Sequence, residues 1–124
     1  MARVRQRDTK PELVTRKLLH AEGYRFRLHQ KTLPGTPDIV LTRHRKIVLV
    51  HGCFWHGHPG CARSKLPEAN HDWWAHKIDG NHRRDEVTLN QLRELGWCVL
   101  VVWECETRDT EALDRRLATF MGAA

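Results

Sequence analysis

The sequence predicts an α/β fold: a mixed central β-sheet flanked by helices, with one loop that needs an ordering agent. Three observations lead there. Ile47 to Val50 and Val99 to Trp103 are short, β-branched and apolar, the pattern of buried strands. Between and around them lie longer segments with helical spacing and helix-start or helix-stop residues. Residues 51–69 form an irregular stretch dense in His, Cys and Trp, long for a structureless loop in a compact domain.

The elements follow in order. Thr9-Lys10-Pro11-Glu12 reads as a helix start, in which Thr9 caps and Glu12 at the third helical position can reach back. Leu13, Val14, Leu18 and Ala21 supply an apolar face, and Gly23 ends the helix. Tyr24 to His29 alternates aromatic and basic residues, as a half-buried strand would. Leu33-Pro34-Gly35-Thr36-Pro37 is a turn, Asp38 to Thr42 a short strand, His44-Arg45 a second turn, and Lys46 to Val50 a buried strand. After the irregular loop, Asn70 to Ile78 reads as a short helix broken at Gly80-Asn81. His82 to Leu95 is then a second helix closed by Gly96. Trp97 to Trp103 is a buried strand, and Thr110 to Met121 a final amphipathic helix. Strands separated by helices give a mixed sheet covered by helices.

At 124 residues the chain reads as a single domain, 1–124, and 40% hydrophobic content is enough for it to fold. Its apolar runs are far too short to cross a bilayer, and no signal peptide is visible, so a cytoplasmic protein is expected. The net charge is +6. Residues 1–31 hold nine Lys or Arg against three Asp or Glu, and the rest of the chain holds twelve of each, so the whole excess lies in the first quarter. A basic segment on an otherwise neutral domain is the footprint of a polyanion-binding surface or of a solvated basic helix. Arg3, Arg5, Arg7 and Lys10 are its candidate phosphate contacts.

Four cysteines and nine histidines, clustered in a chain expected to keep its thiols reduced, point to metal before disulfide. In Cys53-Phe54-Trp55-His56-Gly57-His58-Pro59-Gly60-Cys61, thiolates and imidazoles a few residues apart can wrap one zinc ion, which prefers four tetrahedral N or S ligands. Cys53 and Cys61 are the natural pair, and His58 or His56 the third ligand. Cys105 is the best fourth, because the strands that begin at Lys46 and Trp97 would bring Cys53 and Cys105 together at their ends. Cys98, inside a strand, reads as a core residue.

Pro37-Asp38 opens a strand after a Gly/Pro turn, the place where restriction-endonuclease-like nucleases hold a metal-binding aspartate. A divalent cation neutralises a phosphodiester and activates water, and a hard cation such as Mg²⁺ wants oxygen ligands held rigidly. Glu12 is either half of the capping box or a second carboxylate near that metal, and the two roles are compatible. Asp85 shares a helix face with Leu89 and Leu92, so it needs an inward partner, either a histidine such as His56 or an arginine such as Arg84.

Arg7-Asp8-Thr9 with Glu12, LPGTPD at 33–38, HGCFWH at 51–56, ELGW at 94–97 and VWEC at 102–105 closely resemble the very-short-patch repair endonuclease family, in order and over nearly the whole chain. The resemblance implies a restriction-endonuclease-like fold and strand-specific nicking of double-stranded DNA 5′ to the T of a T:G mismatch. It implies that Asp38 binds the catalytic Mg²⁺ with the Val50 carbonyl, that His56 activates water with support from Asp85, and that His51 and Glu12 complete the site. It assigns Cys53, His58, Cys61 and Cys105 to a structural zinc. Phe54 and Trp55 resemble an aromatic wedge entering the duplex beside the mismatch, where unstacking costs less; the plainer role is packing beneath the zinc loop.

Three departures from the pattern stand out. Val50-His51-Gly52 replaces the acid-x-Lys of most restriction-like nucleases, in agreement with the family. The loop has Gly57 and Pro59-Gly60 where relatives run several histidines, and is one residue longer before Cys61. The shorter N-terminus is expected to weaken mismatch recognition or to leave part of the DNA grip to Met1 and Val4. A bacterial monomer acting at the nucleoid, with mismatch-repair proteins as candidate partners, is expected. Two other readings compete with the nickase. One is a restriction-like nuclease of a restriction or defence system with a different target. The other is a non-enzymatic zinc module that binds DNA, which would need none of Asp38, His56 and Asp85.

Overall fold

A computed structural model of the chain describes residues 8–122. The candidate DNA contacts Arg3, Arg5 and Arg7, with Met1 and Val4, lie outside the described residues. Helix α1 (Lys10–Ala21) starts at Thr9, whose hydroxyl accepts the Glu12 amide at 3.4 Å, and Pro11 occupies the first turn. The buried face is only partly the one read in the sequence: Val14 and Leu18 pack half-buried against the core. Glu12, Thr15 and Leu19 point inward, while Leu13 is 44% exposed and Ala21 lies on the surface. Thr15 can be buried because its hydroxyl donates to the Pro11 carbonyl at 2.9 Å.

Four strands form one mixed sheet in the order β1 (Arg27–Leu28), β2 (Ile39–Leu41), β3 (Lys46–His51), β4 (Cys98–Trp103). The first two pairings are antiparallel, and β3 pairs with β4 in parallel, Val50 opposite Val102 and His51 opposite Trp103. β1 is shorter than the alternating pattern suggests. His29 adopts a left-handed backbone, φ 45°, which cannot continue a pleated strand. Strand alternation sends Ile39, Leu41, Val48 and Val102 to one face, against Leu19 of α1 and Leu113 and Leu117 of α3 (Thr110–Phe120). It sends Val40, Ile47 and Leu49 to the other, against Leu92 of α2 (His71–Glu94) and Trp97. Covered on both faces, the central strands read as continuous apolar runs rather than as alternating ones.

A parallel pair needs a long crossover, and here the His/Cys loop and α2 supply it. The two helices expected on either side of Gly80-Asn81 are one helix of 24 residues. An interior glycine costs only about 1 kcal/mol, and neighbouring residues of α2 are pinned by the cross-loop bonds described below. Cys98 is exposed rather than a core residue, because it opens edge strand β4 before the strand dips under α2. A 3-10 turn, Glu104–Arg108, separates β4 from α3 and has no clear sequence signal. Among the described residues no helix is long and apolar enough to cross a membrane.

Candidate active site and metal centre

Three groups of side chains meet at the C-terminal ends of β3 and β4. The first is acidic. Asp38 stands just before β2, and the Val50 amide donates to its Oδ2 at 2.8 Å, fixing the carboxylate across the β2–β3 ladder. Burial pushes its pKa up to about 6, against the lowering effect of the Val50 bond; the nearby Glu12 adds to the rise, and His29 opposes it. Glu12 arrives from α1 and is 1% exposed. Its carboxylate goes to Arg16 and His29, not back to the helix start. Arg16 bridges it to Asp8, and the His29 Nε2 lies 3.1 and 3.0 Å from its two oxygens.

The second group is built on His51, the last residue of β3. Its ring stacks on His56 at 3.9 Å, nearly parallel, and the His56 Nδ1 lies 2.7 Å from Oδ2 of Asp85 on α2. Arg84, the alternative partner for Asp85, turns instead to the Asn81 side chain at 2.5 Å. Burial, helped by the adjacent His56, pulls the His51 pKa down to about 4, so this imidazole stays neutral at physiological pH. A cavity of about 100 Å³ beside the pair is lined by His51, His56, His82, Asp85 and Trp103.

In the third group, Cys53, His58, Cys61 and Cys105 place one ligand atom each within 4.8 Å of the others. The parallel register explains the convergence. His51 lies opposite Trp103, so two residues further on Cys53 and Cys105 emerge side by side, and the Cys105 amide reaches the Cys53 sulfur at 3.4 Å. His58, not His56, is the imidazole of this group, its Nδ1 3.5 Å from the Cys105 Sγ. The loop is held from α2, where Asn81 donates to the Trp55 carbonyl at 2.8 Å and His82 donates to the Gly57 carbonyl at 3.0 Å. Ser64 bonds the His58 and Cys61 carbonyls. Burial pushes the Cys53 thiol up to about 12, while the backbone amide of Arg63 draws the Cys61 thiol down. Three sulfurs and one imidazole can hold a soft or borderline cation in a closed tetrahedron. Trp103 ties this group to the second: His58 stacks on its ring at 4.1 Å, and His51 meets it edge-on at 5.4 Å.

Phe54 and Trp55 are half-buried and join an aromatic cluster that the sequence reading missed. Trp74 on α2 touches both, at 5.3 and 5.7 Å between ring centres, and Trp73, 60% exposed, packs edge-on against Trp74. A Trp pair in the otherwise polar start of a helix was the available signal. Lys10 is exposed in the first turn of α1. His29 carries no such signal in the sequence, where it only closes an alternating strand pattern.

Comparison with known proteins matches the chain to one family. Residues 1–63 fit the family model described as DNA mismatch endonuclease Vsr. The chain is 50% identical over 121 residues to the Type II nicking enzyme V.XorIIP of Xanthomonas oryzae pv. oryzae, covering 98% of this chain and 88% of that protein. The chain belongs to the Vsr endonuclease family. As a Vsr protein it is a DNA endonuclease, a hydrolase. Its identity to the Type II nicking enzyme V.NmeAIP of Neisseria meningitidis is 40%, over 94% of this chain and 83% of that one. To the DNA mismatch endonuclease Vsr of Escherichia coli it is 42%, over 91% of this chain and 72% of that one. The Vsr family model ends at residue 63, so Asp85 and Cys105, which complete the second and third groups, lie beyond it.

Proposed function

We propose that this protein is a Mg²⁺-dependent nickase that cuts one DNA strand 5′ to the T of a T:G mismatch, as a step of very-short-patch mismatch repair. The observation that carries the reading is Asp38, a carboxylate anchored on the Val50 amide beside buried Glu12, at the same strand end as the His56–Asp85 pair. The oxygen donors fit a hard cation, and the cost that burial and the nearby Glu12 add to ionising Asp38 is what a cation relieves. Asp38 and Glu12 would hold the magnesium, with the Val50 carbonyl as a further oxygen. Bound there, Mg²⁺ would neutralise the scissile phosphate and make a water more acidic.

The chain's own groups do the rest. A carboxylate only accepts, so Asp85 keeps the proton of His56 on Nδ1 and leaves a lone pair on Nε2. Nε2 then takes the proton of the attacking water, and Asp85 stabilises the imidazolium that forms. Neutral His51 backs the His56 ring by stacking and supplies an N–H for a phosphate oxygen. Cys53, His58, Cys61 and Cys105 suit a structural zinc: burial holds the proton on the Cys53 thiol, and metal binding would replace it. Phe54 and Trp55, backed by Trp74, form the wedge that tests the stack at the mismatch. The basic N-terminal quarter, with Lys10, contacts phosphates.

The whole reading is a single domain, 1–124, with a restriction-endonuclease-like fold, acting as a cytoplasmic monomer and handing its nick to mismatch-repair proteins. Relatives named as nicking enzymes support single-strand incision. The test is cleavage of two matched duplexes, one with a T:G mismatch and one fully paired, with and without Mg²⁺. A Mg²⁺-dependent nick confined to the T strand of the mismatch is expected. Incision of the paired duplex would favour a nuclease of a restriction or defence system with another target.

A further inference from the structure

His29 plays no part in the function as set out above, yet its environment is unusual. Its side chain is 9% exposed, and its Nε2 lies astride both oxygens of Glu12 at 3.1 and 3.0 Å. Its backbone amide donates to the carbonyl of Asp38 itself at 3.1 Å. It does this from a left-handed backbone, φ 45°, a conformation that costs a non-glycine residue about 1 kcal/mol or more. One residue thus grips a carboxylate from α1 by its ring and the main chain of the aspartate just before β2 by its amide.

From this geometry we infer that His29 is a positioning residue for the magnesium site, setting the Glu12 carboxylate at a fixed distance from Asp38. The inference rests on the proposed role of Asp38 and Glu12. Glu12 rides on a helix and Asp38 on a strand end, and a Glu side chain has three torsions to be set before its carboxylate faces the aspartate. A carboxylate offers roughly four lone-pair positions. Arg16 takes one on Oε2, and His29, accepted by both oxygens, fixes the plane of the group. The remaining lone pair on Oε1 is left for a metal or a metal-bound water. Partners one step removed from a metal orient its ligands in this way, and their loss typically weakens metal affinity by about 10- to 100-fold.

Two substitutions separate the ring's role from the backbone's. Asn tolerates the left-handed conformation but is too short to reach Glu12. Gln reaches it with an amide N–H. The readout is binding of Mn²⁺, an oxygen-seeking stand-in for Mg²⁺, followed by electron paramagnetic resonance of free ion titrated against the full chain without DNA. Thermal melting confirms that each variant is folded. His29→Asn should weaken Mn²⁺ binding by about tenfold and raise the Mg²⁺ needed for half-maximal nicking in proportion, and His29→Gln should recover most of both. Unchanged Mn²⁺ affinity in folded His29→Asn, with affinity lost in Asp38→Asn, would overturn the role of His29 alone. Unchanged affinity in both variants would overturn the metal assignment as well.

Discussion

Asp38 shows how burying a single carboxylate can work against the fold. Its folded pKa, about 6, lies above the 3.8 of a free aspartate, and the main cause is burial. A group that holds its proton more tightly when folded favours the native state at low pH. That contribution is full below about pH 4 and is lost as pH rises through 6. Asp38→Asn keeps the size and the acceptor for the Val50 amide while removing the charge. It is therefore expected to melt a few degrees higher than the parent at pH 8 and about equally at pH 4, while nicking falls by roughly 10²-fold or more. Calorimetry at the two pH values and a nicking assay check both halves, and a lower melting temperature at pH 8 would contradict the account. Asp38 was legible because Pro-Asp after a Gly/Pro turn is a local pattern. Glu12 was legible as a carboxylate near Asp38, whereas its capping-box alternative gives way because the side chain goes to Arg16 and His29. No local pattern marks a left-handed histidine, and His29 takes its meaning from Glu12 and Asp38 on other elements.

At the scale of elements, the loop and α2 form one unit. Gly80 and Gly57 make the point from opposite sides. A Cβ at Gly80 would meet nothing within 4 Å, and its backbone is helical, so Gly80→Ala should stabilise the protein by about 0.5–1 kcal/mol. Gly57 has φ +60°, and a Cβ there would come within 2.7 Å of Ile78 and 3.2 Å of His82. Gly57→Ala should therefore lower the melting temperature and loosen metal retention, both read from melts followed with and without chelator. The same pair explains why the helix break was misread. Gly-Asn is a breaker by local preference, but Asn81 spends its side chain on the Trp55 carbonyl and Leu92 is fully buried one face along, so tertiary contacts outweigh a small intrinsic cost. The apolar strands were legible because burial on both faces leaves a continuous run. β1 and the 3-10 turn after β4 were not, being shaped by one backbone angle and by side-chain bonds such as Glu106 to Arg116 at 2.5 Å.

For the molecule as a whole, the cysteine–histidine centre stands in for core. Among the described residues the sheet has four strands, and the loop it leaves behind carries His56 and the aromatic pair. Cys105→Ser is expected to cost about one equivalent of zinc and to lower thermal stability sharply, with nicking lost because His58, Trp103 and His51 are in ring contact. Metal analysis of the purified variant decides the ligand assignment, and unchanged metal content would refute it. The family was legible from spaced motifs, and Cys105 as a neighbour of Cys53 from two converging strand ends, while the residues alone left His56 and His58 as alternatives. Helix α2 has one more consequence. It is unbroken from Trp74, beside the aromatic pair, to Asp85, beside His56. It therefore acts as a ruler: roughly 16 Å of axis, at 1.5 Å per residue, separates the point that would probe the stack from the point that would cut. One residue inserted between them would shift the far end by about 1.5 Å and swing it through about 100°, so that interval of the gene should tolerate substitution far better than any change of length.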